Sequence, residues 1–341
     1  MTSRDAVDDL RVAAVVVTYN RKELLMECLE ALLRQTRPLQ AIYIIDNAST
    51  DGTPELLHRE GYTPSLEGGT LTRKNLHNQE EIRIIHIRLP ENTGGAGGFH
   101  EGVKRAYHDG YDWIWLMDDD AEPLKDSLEK LLPYASDGVF ALANLKIAPD
   151  GTPQYGHRGF FNFKNSTLVI PITQKDLKKD YLEIDHSSFV GIMISYQAIK
   201  IVGFPKKKFF LHFDDFEYCT RLRMGGKILL VPSSLILHKD QARKNRVIKK
   251  ILWIKIPITP YKNLWLNYYG MRNKVWILKN NMTKWKFYLY FLRSILLSLG
   301  AQLVNGEKIT RRIFFILSAY IDGFNGEFDN EKPKKILYEK V

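Results

Sequence analysis

The sequence predicts an α/β fold with a mostly parallel sheet and a helical appendage at the C-terminal end. Apolar runs of five to seven residues alternate four times with helical patterns, as in a parallel sheet covered on both faces. The first run, Val12–Val17, is continuous and β-branched, which is typical of a strand buried on both faces. From about residue 245 onward the pattern becomes helical and aromatic.

The elements of the first half follow in chain order. Leucines and Cys28 form an apolar stripe at helical spacing after the first strand. A polar, Gly-containing stretch to about residue 80 separates the second helix from the third strand. The predicted helices are 22–35, 53–60 and one following Gly97-Gly98, and the predicted strands are 12–17, 41–45, 82–88 and 113–117.

The second half offers shorter candidates. Strands are predicted at 138–145, 187–196 and 227–232, and Leu211–Arg223 predicts a short approach followed by a helix. Trp113 and Trp115 lie inside a strand rather than beyond its end, so we expect them in the core.

Composition sets outer limits on the class of protein. A chain of 341 residues with 45% hydrophobic and 26% charged residues has room for one large domain plus an appendage. Cys28 and Cys219 show no metal-ligand spacing and cannot form a disulfide framework, which fits a reducing compartment. The polar N-terminus predicts no signal peptide, so we expect a cytoplasmic location.

The net charge of +10 is concentrated at the C-terminal end. Residues 242–341 contain 20 Lys and Arg against 6 Asp and Glu, whereas acids outnumber bases in the preceding part. We therefore expect two regions, a catalytic-type domain over 1–240 and a basic, aromatic helical region over 241–341. Such an excess of positive charge indicates an anionic partner, either nucleic acid or membrane headgroups.

Of these two anionic partners, the residue pattern of the C-terminal region favours membrane headgroups. Tyr261–Asn281 and Trp285–Leu299 place aromatic and basic residues at helical spacing, and Lys286 and Arg293 interrupt the apolar run well short of the ~20 residues that a span requires. No RNA- or DNA-binding fold signature accompanies them, so we expect no nucleic-acid partner. A helical subdomain packed on the core is the alternative, and the two are compatible.

Three consecutive carboxylates, Asp118 to Asp120, follow the fourth strand. Their mutual repulsion is usually compensated by a divalent cation, and carboxylate oxygens suit Mg²⁺ or Mn²⁺. A metal held in this way commonly bridges to a diphosphate. An acidic turn that caps the next helix is the alternative reading.

Polar segments follow each of the four early strands. They are Thr18–Arg21, Asp46–Asp51, Asn92–Gly98 and Asp118–Asp120. Ligands of open α/β sheets bind at this edge, so four polar segments there predict a binding site. The glycine segment has the spacing GGAGG and is not a dinucleotide fingerprint. We expect its glycines to let the backbone approach a ligand, with a flexible turn as the alternative.

The ordered series of motifs resembles family 2 glycosyltransferases, which have the nucleotide-sugar-binding GT-A fold. The series is Val-Val-Val-Thr-Tyr-Asn-Arg, Asp-Asn-Ala-Ser-Thr-Asp-Gly, Asn-Thr-Gly-Gly-Ala-Gly-Gly-Phe, Asp-Asp-Asp and Phe-Leu-His-Phe-Asp-Asp-Phe-Glu, with His238 further on. Asn92–Phe99 is most similar to the galactofuranosyltransferases, with some rhamnosyltransferases close behind. The resemblance covers about residues 11–240.

The resemblance implies a role for each matching residue at the donor. Thr18, Tyr19 and Arg21 would line the nucleotide pocket, with Arg21 near the diphosphate. Asp46 would read the uracil ring, and Asn92 would touch the ribose or pyrophosphate. The residue nearer the donor sugar would be Asp119.

The resemblance also implies a metal site and a general base. Asp118, Asp120 and His238 would bind Mn²⁺ or Mg²⁺, although a lone histidine at a strand end is also common as a structural residue. Asp215 would take the proton of the acceptor hydroxyl, which implies a single in-line displacement and hence inversion. Its neighbour Asp214 would influence the reaction only through its effect on Asp215. Alternatively, both acids would serve as the N-cap of the following helix. The acceptor could instead be contacted by His212.

Together these features predict an inverting, metal-dependent glycosyltransferase. The expected reaction moves galactofuranose from its UDP donor to a lipid-linked oligosaccharide or polysaccharide, with the enzyme peripheral on the inner face of the cell membrane. One alternative is a rhamnosyltransferase with a dTDP donor. A different class of alternative is a catalytically silent nucleotide-binding or membrane scaffold.

Overall fold

The computed structural model describes residues 9–164, 167–239, 247–251, 254–258, 260–303 and 308–339. The chain divides into two compact units. The sheet unit comprises Met1–Phe161, Val169–Lys207 and Asp214–Lys239, and the helical unit comprises Asn162–Leu168, Lys208–Phe213 and Asp240–Val341. The N-terminal residues 1–8, on which the absence of a signal peptide was predicted, lie outside the described residues, as do 240–246 at the start of the predicted C-terminal region.

The sheet unit is built on a ten-stranded mixed sheet. Four parallel strands lie side by side in the order β5-β1-β2-β4, and they occupy the positions that the sequence predicts. The strands are β1 (Val12–Thr18), β2 (Ala41–Asp46), β4 (Glu81–Arg88) and β5 (Trp113–Asp118), and the connecting helices are α1 (Lys22–Leu33), α2 (Thr53–Arg59) and α3 (Gly94–His108).

Strand β1 is buried on both faces, as its sequence predicts. Val12 and Val16 pack in one hydrophobic cluster, while Val15 and Val17 pack in a second. Leucines of α1 belong to the first cluster and apolar residues of α3 to the second, because successive side chains of a strand point to opposite faces. Trp115 is fully buried, which confirms the prediction that it belongs to the core.

The remaining strands extend the sheet beyond β5 in the order β12-β7-β13-β10. Strand β12 runs antiparallel to both β5 and β7, so the sheet is mixed rather than wholly parallel. These elements are β6 (Ala121–Pro123), α4 (Ser127–Leu131), β7 (Val139–Ile147), β10 (Leu182–Ile184), β12 (Ile192–Ser195), α5 (Tyr196–Val202), α6 (Asp214–Gly225) and β13 (Lys227–His238). A separate three-stranded sheet contains β8 (Arg158–Phe161), β9 (Val169–Pro171) and β11 (His186–Ser187).

Two expectations for the strands were wrong. The polar stretch before residue 80 contains an antiparallel edge strand, β3 (Gly68–Lys74), which is mostly exposed and therefore has no apolar alternation to reveal it. The predicted strand 187–196 is two strands in different sheets. They are separated by a turn at Gly191, whose φ of +76° favours glycine.

The glycine segment was expected to precede its helix, but it forms the first turns of α3. A Cβ on Gly98 would lie 2.5 Å from Val17 Cγ1, and one on Gly102 would lie 2.3 Å from Val15 Cγ1. These two glycines therefore allow α3 to pack closely on β1. By contrast, a Cβ on Gly95 would meet no atom of the described residues within 4 Å outside its own helix backbone, so there is open space beside this glycine.

The helical unit consists of four helices and a two-stranded ribbon within the described residues; the ribbon lies where a helical pattern was expected from about residue 245, so that expectation was wrong for its first segment. The elements are β14 (Val247–Ile251), β15 (Ile254–Ile258), α7 (Trp265–Asn281), α8 (Lys284–Leu303), α9 (Ile309–Asn325) and α10 (Lys332–Tyr338). Among the helices in the described ranges, none combines the length and apolar character needed to span a bilayer.

Buried polar residues fix the 208–213 segment inside the helical unit. Arg272 donates to the Phe209 carbonyl at 3.1 Å, and Asn273 donates to the carbonyls of Phe209, Leu211 and His212 at 2.8–3.0 Å. His212 adopts a φ of +69°, which is uncommon outside glycine. The amide of Asn273 thus satisfies carbonyls that a turn of this conformation leaves unpaired.

Candidate functional site

The carboxyl ends of three parallel strands bring the predicted site residues to one edge of the sheet. Thr18 of β1 lies opposite Asp46 of β2, and Val17 lies opposite Asp118 of β5. The three strand ends are therefore neighbours, as the pattern predicts. Any group bound there meets side chains from all three strands.

Asp119 and Asp120 are buried, and both form ion pairs with the side chain of Arg21. Arg21 Nη1 lies 3.2 Å from Asp119 Oδ1 and 3.1 Å from Asp120 Oδ2. Thr18 Oγ1 donates to Asp119 Oδ2 at 2.8 Å, and the backbone N–H of Tyr19 also donates to this carboxylate. The segment after β1 is thus joined to the acidic run by direct contacts, while the ring of Tyr19 is exposed.

The three aspartates differ in how readily they hold a negative charge. Burial, followed by the charges of Asp120 and Asp119, raises the pKa of Asp118 to about 7. Burial also raises the pKa of Asp119 to about 6, although Arg21 and Thr18 oppose the shift. At Asp120 burial is outweighed by His238, Arg21 and a further lysine, so its pKa lies below its usual value. Asp120 is therefore the member of the run that holds its negative charge most readily.

Asp120 and His238 lie together in a way that fits a divalent cation. The antiparallel pairing of β13 with β6 sets His238 opposite Ala121, and His238 Nε2 lies 3.4 Å from Asp120 Oδ1. Asp120 Oδ1 is buried and has no hydrogen-bond partner among the residues that the structure describes. Gln154 Oε1 lies 3.2 Å from His238 Nδ1, and a proton placed on Nδ1 would leave Nε2 free to bind a metal.

The described residues supply two ligands rather than a full set. Throughout the described ranges, no group of three or more His, Cys, Asp or Glu side chains is arranged to hold a metal. Asp120 and His238 fit as a pair, and a diphosphate and water would have to complete the coordination. The metal-ligand roles of Asp118, Asp120 and His238 stay predictions.

Lys146 of β7 is a member of the site that the sequence analysis missed. It is 1% exposed, and its charge lowers the pKa of both Asp118 and Asp120. The signal was present, because Lys146 is the one charged residue of β7, whose other residues are apolar apart from Asn144. A lysine is almost never buried without a charged partner, and the partners here belong to other strands.

A second network connects Asn47 with Asn92. Asn47 Nδ2 donates to Asn92 Oδ1 at 3.1 Å and to the Gly94 carbonyl at 2.9 Å, while Asn47 Oδ1 accepts from the Thr93 N–H. Asn92 Oδ1 also accepts from the Gly94 N–H at 2.8 Å. The oxygen of Asn92 is thus used to begin helix α3, and only its amide NH₂ group remains for a ligand.

Asp46 retains an unused acceptor beside this network. Its Oδ1 accepts from the Ser49 N–H at 2.8 Å, whereas its buried Oδ2 finds no hydrogen-bond partner within the described part of the chain. A buried carboxylate oxygen without a donor is costly, so it suits a ligand that brings an N–H group. The predicted contact with a uracil ring would supply such a donor.

The acid pair begins helix α6. Asp214 is buried, and burial followed by the charge of Asp215 raises its pKa well above the usual range. Asp118 adds to this effect, so the start of α6 lies within electrostatic range of the end of β5. Asp215 is only half-buried and accepts from the Phe216 N–H at 2.7 Å. It is placed both to cap the helix and to meet a substrate.

Arg158 and His186 stand near Asp215 and were also missed. Arg158 is fully buried, donates to the carbonyls of Asn144 and Val190, and interacts electrostatically with Asp215. His186 is buried, and burial lowers its pKa although the charge of Asp215 opposes the shift; its Nδ1 has no hydrogen-bond partner among the described residues. No local pattern marks these two residues, because they lie in a loop-rich part of the sequence.

His212 belongs to the helical unit rather than to the sheet unit. Its side chain is exposed, and within its own unit it lines a cavity. Its predicted contact with the acceptor stays a prediction.

Comparison with known proteins identifies relatives of the sheet unit. A model of glycosyl transferase family 2 matches residues 13–202, which is more than half of the chain. Galactofuranosyltransferase GlfT1 of Mycolicibacterium smegmatis is 28% identical over 219 residues, which cover 63% of this chain and 66% of that protein, just under two thirds of its length. The dTDP-rhamnosyl transferase RfbF of Shigella flexneri is 24% identical over 275 residues, which cover 79% of this chain and 80% of that protein.

A solved structure shows the same fold. The crystal structure of S. aureus TarS 1–349 in complex with UDP-GlcNAc has a TM-score of 0.53 and 14% sequence identity, and the match covers 96% of this chain and 84% of that chain. The fold is therefore the predicted GT-A fold, a mostly parallel mixed sheet followed by a C-terminal helical region.

Proposed function

Because the chain belongs to glycosyl transferase family 2, we propose that it transfers galactofuranose from UDP-galactofuranose to a lipid-linked glycan. The similarity to GlfT1, whose name states galactofuranosyl transfer, supports the sugar. The TarS complex with UDP-GlcNAc supports a nucleotide-sugar donor. The proposed reaction inverts the anomeric centre and depends on Mn²⁺ or Mg²⁺.

The observation that carries this proposal is the pair formed by Asp120 and His238. A buried carboxylate oxygen, which has no hydrogen-bond partner in the described ranges, lies 3.4 Å from an imidazole nitrogen at the edge of the sheet where ligands of this fold class bind. A divalent cation bound there would offset charge on the diphosphate as the sugar departs. The positive charges of Arg21 and Lys146 offset part of the negative charge of the three aspartates, which reduces their repulsion of an anionic ligand.

The remaining predicted donor contacts have side-chain atoms available for them. Asp46 Oδ2 would accept from the uracil N–H, and the amide of Asn92 would donate to the ribose or pyrophosphate. Tyr19 is exposed for contact with the nucleotide, and Arg21, 44% exposed, can reach the diphosphate while it holds Asp119. Asp119 would orient the donor sugar.

Asp215 would accept the proton of the attacking hydroxyl. It is half-buried in the first turn of α6, and the buried Asp214 lies directly before it. The raised pKa of Asp214 favours its neutral form, so Asp214 is poorly suited to accept a proton, and we assign the role of base to the more exposed Asp215. Attack from the side opposite the diphosphate gives inversion.

A rhamnosyltransferase remains the second candidate. The match to the dTDP-rhamnosyl transferase RfbF covers 79% of this chain, a larger share than the 63% covered by GlfT1, although its identity is lower. The two readings differ in the donor rather than in the catalytic groups.

The acceptor would be reached at an anionic membrane surface, on which helix α8 would lie. Its exposed apolar side chains recur at helical spacing, and basic side chains accompany them. The apolar residues are Trp285, Tyr288, Leu289, Leu292 and Leu296, and the basic residues are Lys284, Lys286 and Arg293. Charge complementarity argues for anionic lipid, because residues 242–341 carry 20 basic against 6 acidic residues.

A donor screen tests the proposed reaction. We expect nucleotide release with Mn²⁺ to be fastest from UDP-galactofuranose, compared with UDP-galactopyranose, UDP-glucose and dTDP-rhamnose, and to stop with EDTA. His238→Ala should remove most of the Mn²⁺-dependent release, whereas His77→Ala, at an exposed position, should not. Preference for dTDP-rhamnose would favour the second candidate. Release from none of the donors would contradict the transferase and favour a silent scaffold.

Asp215→Asn tests the general base. The substitution keeps the shape of the side chain but removes its basicity, so transfer should fall by about 100-fold to 10,000-fold. UDP binding, measured by calorimetry, should be unchanged. Asp137→Asn is the matched control at an exposed position and should retain full transfer. Full activity in Asp215→Asn would refute the assignment.

Vesicle sedimentation tests the membrane surface. The wild-type protein should sediment with vesicles of phosphatidylcholine and phosphatidylglycerol but not with phosphatidylcholine alone, because attraction to anionic lipid is needed. Leu296→Asp should weaken sedimentation several-fold, since it places a charge on the apolar face. Ile201→Asp, at an exposed apolar position of α5, is the control. Equal sedimentation of the two variants would contradict the role of α8.

A further inference from the structure

Helices α7, α8 and α9, together with His212, line an open cavity of about 530 Å³ within the helical unit, with polar and apolar surface in similar proportion. Its lining combines one lysine with hydroxyl and amide groups and contains no acid. The polar residues are His212, Asn267, Lys274, Tyr290, Ser294, Ser298 and Tyr320. A cavity of this size is adequate for a phosphoryl or diphosphoryl group.

Lys274 gives the cavity an uncompensated positive charge. Helices α7 and α8 contain no Asp or Glu, and the one acid of α9, Asp322, already accepts from Tyr268 and Lys332 at 2.6 Å. Within the described residues Lys274 has no ion pair, and its contact is with the ring of Tyr290 at 5.7 Å. Burial lowers the pKa of Lys274, and an anion beside it would oppose this shift by stabilising the charged ammonium.

The hydroxyl groups face the same space. Ser298 Oγ of α8 and Tyr320 OH of α9 lie 3.0 Å apart. Tyr290 and Ser294, which are also on α8, contribute two further hydroxyls to the lining. One lysine surrounded by hydroxyl donors is a common arrangement for binding phosphate oxygens, since each oxygen accepts more than one hydrogen bond. The lysine and hydroxyl groups of the lining therefore favour an anion with several oxygen atoms.

A second cavity of about 370 Å³ adjoins the first along α8. The two share Tyr290, Ser294 and Leu297 in their linings. The second is lined by the apolar side chains of Trp285 and Leu289, and by further basic residues. These basic residues are Lys164, Lys286 and Arg293. A ligand that occupies both cavities would be anionic at one end and apolar along its length.

We propose that the Lys274 cavity binds the phosphoryl group of a lipid phosphate whose hydrocarbon chain lies against Trp285 and Leu289. The inference rests on the proposed function, because it assigns this cavity to the phosphorylated carrier of the acceptor. The exposed apolar face of α8 continues the path of the chain toward lipid. The glycan attached to the phosphoryl group would lie on the side of His212.

Farnesyl phosphate in micelles of a neutral detergent is the probe, with binding measured by calorimetry on the full chain. The wild type should bind farnesyl phosphate more tightly than farnesol, which lacks the anion, or inorganic phosphate, which lacks the chain. Lys274→Met should weaken binding by about tenfold or more, since a hydrogen bond to a charged group is lost. Lys335→Met, an exposed lysine of α10, should bind as the wild type does, and Lys274→Arg should restore most of the affinity.

Two further measurements keep the outcomes distinct. UDP binding is measured for each variant, and it should be unchanged in Lys274→Met. If the wild type binds UDP but not farnesyl phosphate, this inference alone is overturned. If the wild type does not bind UDP, the proposed function is overturned. The inference is also overturned if the Lys274→Met and Lys335→Met variants bind farnesyl phosphate with equal affinity, or if the protein does not bind farnesyl phosphate but binds phosphatidylglycerol vesicles in a way that depends on Lys274.

Discussion

The constraint on which the site depends is the concentration of carboxylates at the end of β5. Three successive aspartates lie where burial alone raises their pKa values, so their charges require compensation from other parts of the chain. Arg21 comes from the segment after β1, Lys146 from β7 and His238 from the end of β13. The acidic run therefore contacts three separate segments, and no described residue donates a hydrogen bond to one buried oxygen of Asp120.

The sequence predicted the parallel half of the sheet well because that half has strong local signals. Val12–Val17 is β-branched throughout, and the stripe of α1 has helical period. The two strand predictions that were wrong involve weaker signals. Strand β3 is an exposed edge strand with little apolar alternation, and β12 is a short strand whose antiparallel position between β5 and β7 depends on pairings distant in sequence.

The candidate site was predictable to the extent that its residues follow strand ends. Thr18, Asp46 and Asp118 needed only the rule that parallel strands end at a common edge. The contact of His238 with Asp120 rested on the family resemblance, because no local pattern relates residues so far apart. Arg158 could not be predicted, since its importance comes from burial near Asp215 rather than from its sequence neighbours. Two of the glycines of α3, Gly98 and Gly102, serve to pack the helix against β1.

The most direct measurement is a crystal structure of the protein with UDP and Mn²⁺, with the metal located by its anomalous scattering. The account predicts one manganese peak about 2.0–2.3 Å from both Asp120 Oδ1 and His238 Nε2, with diphosphate oxygens completing its coordination. A structure with UDP bound and manganese elsewhere, or with no manganese between these two side chains, would contradict it.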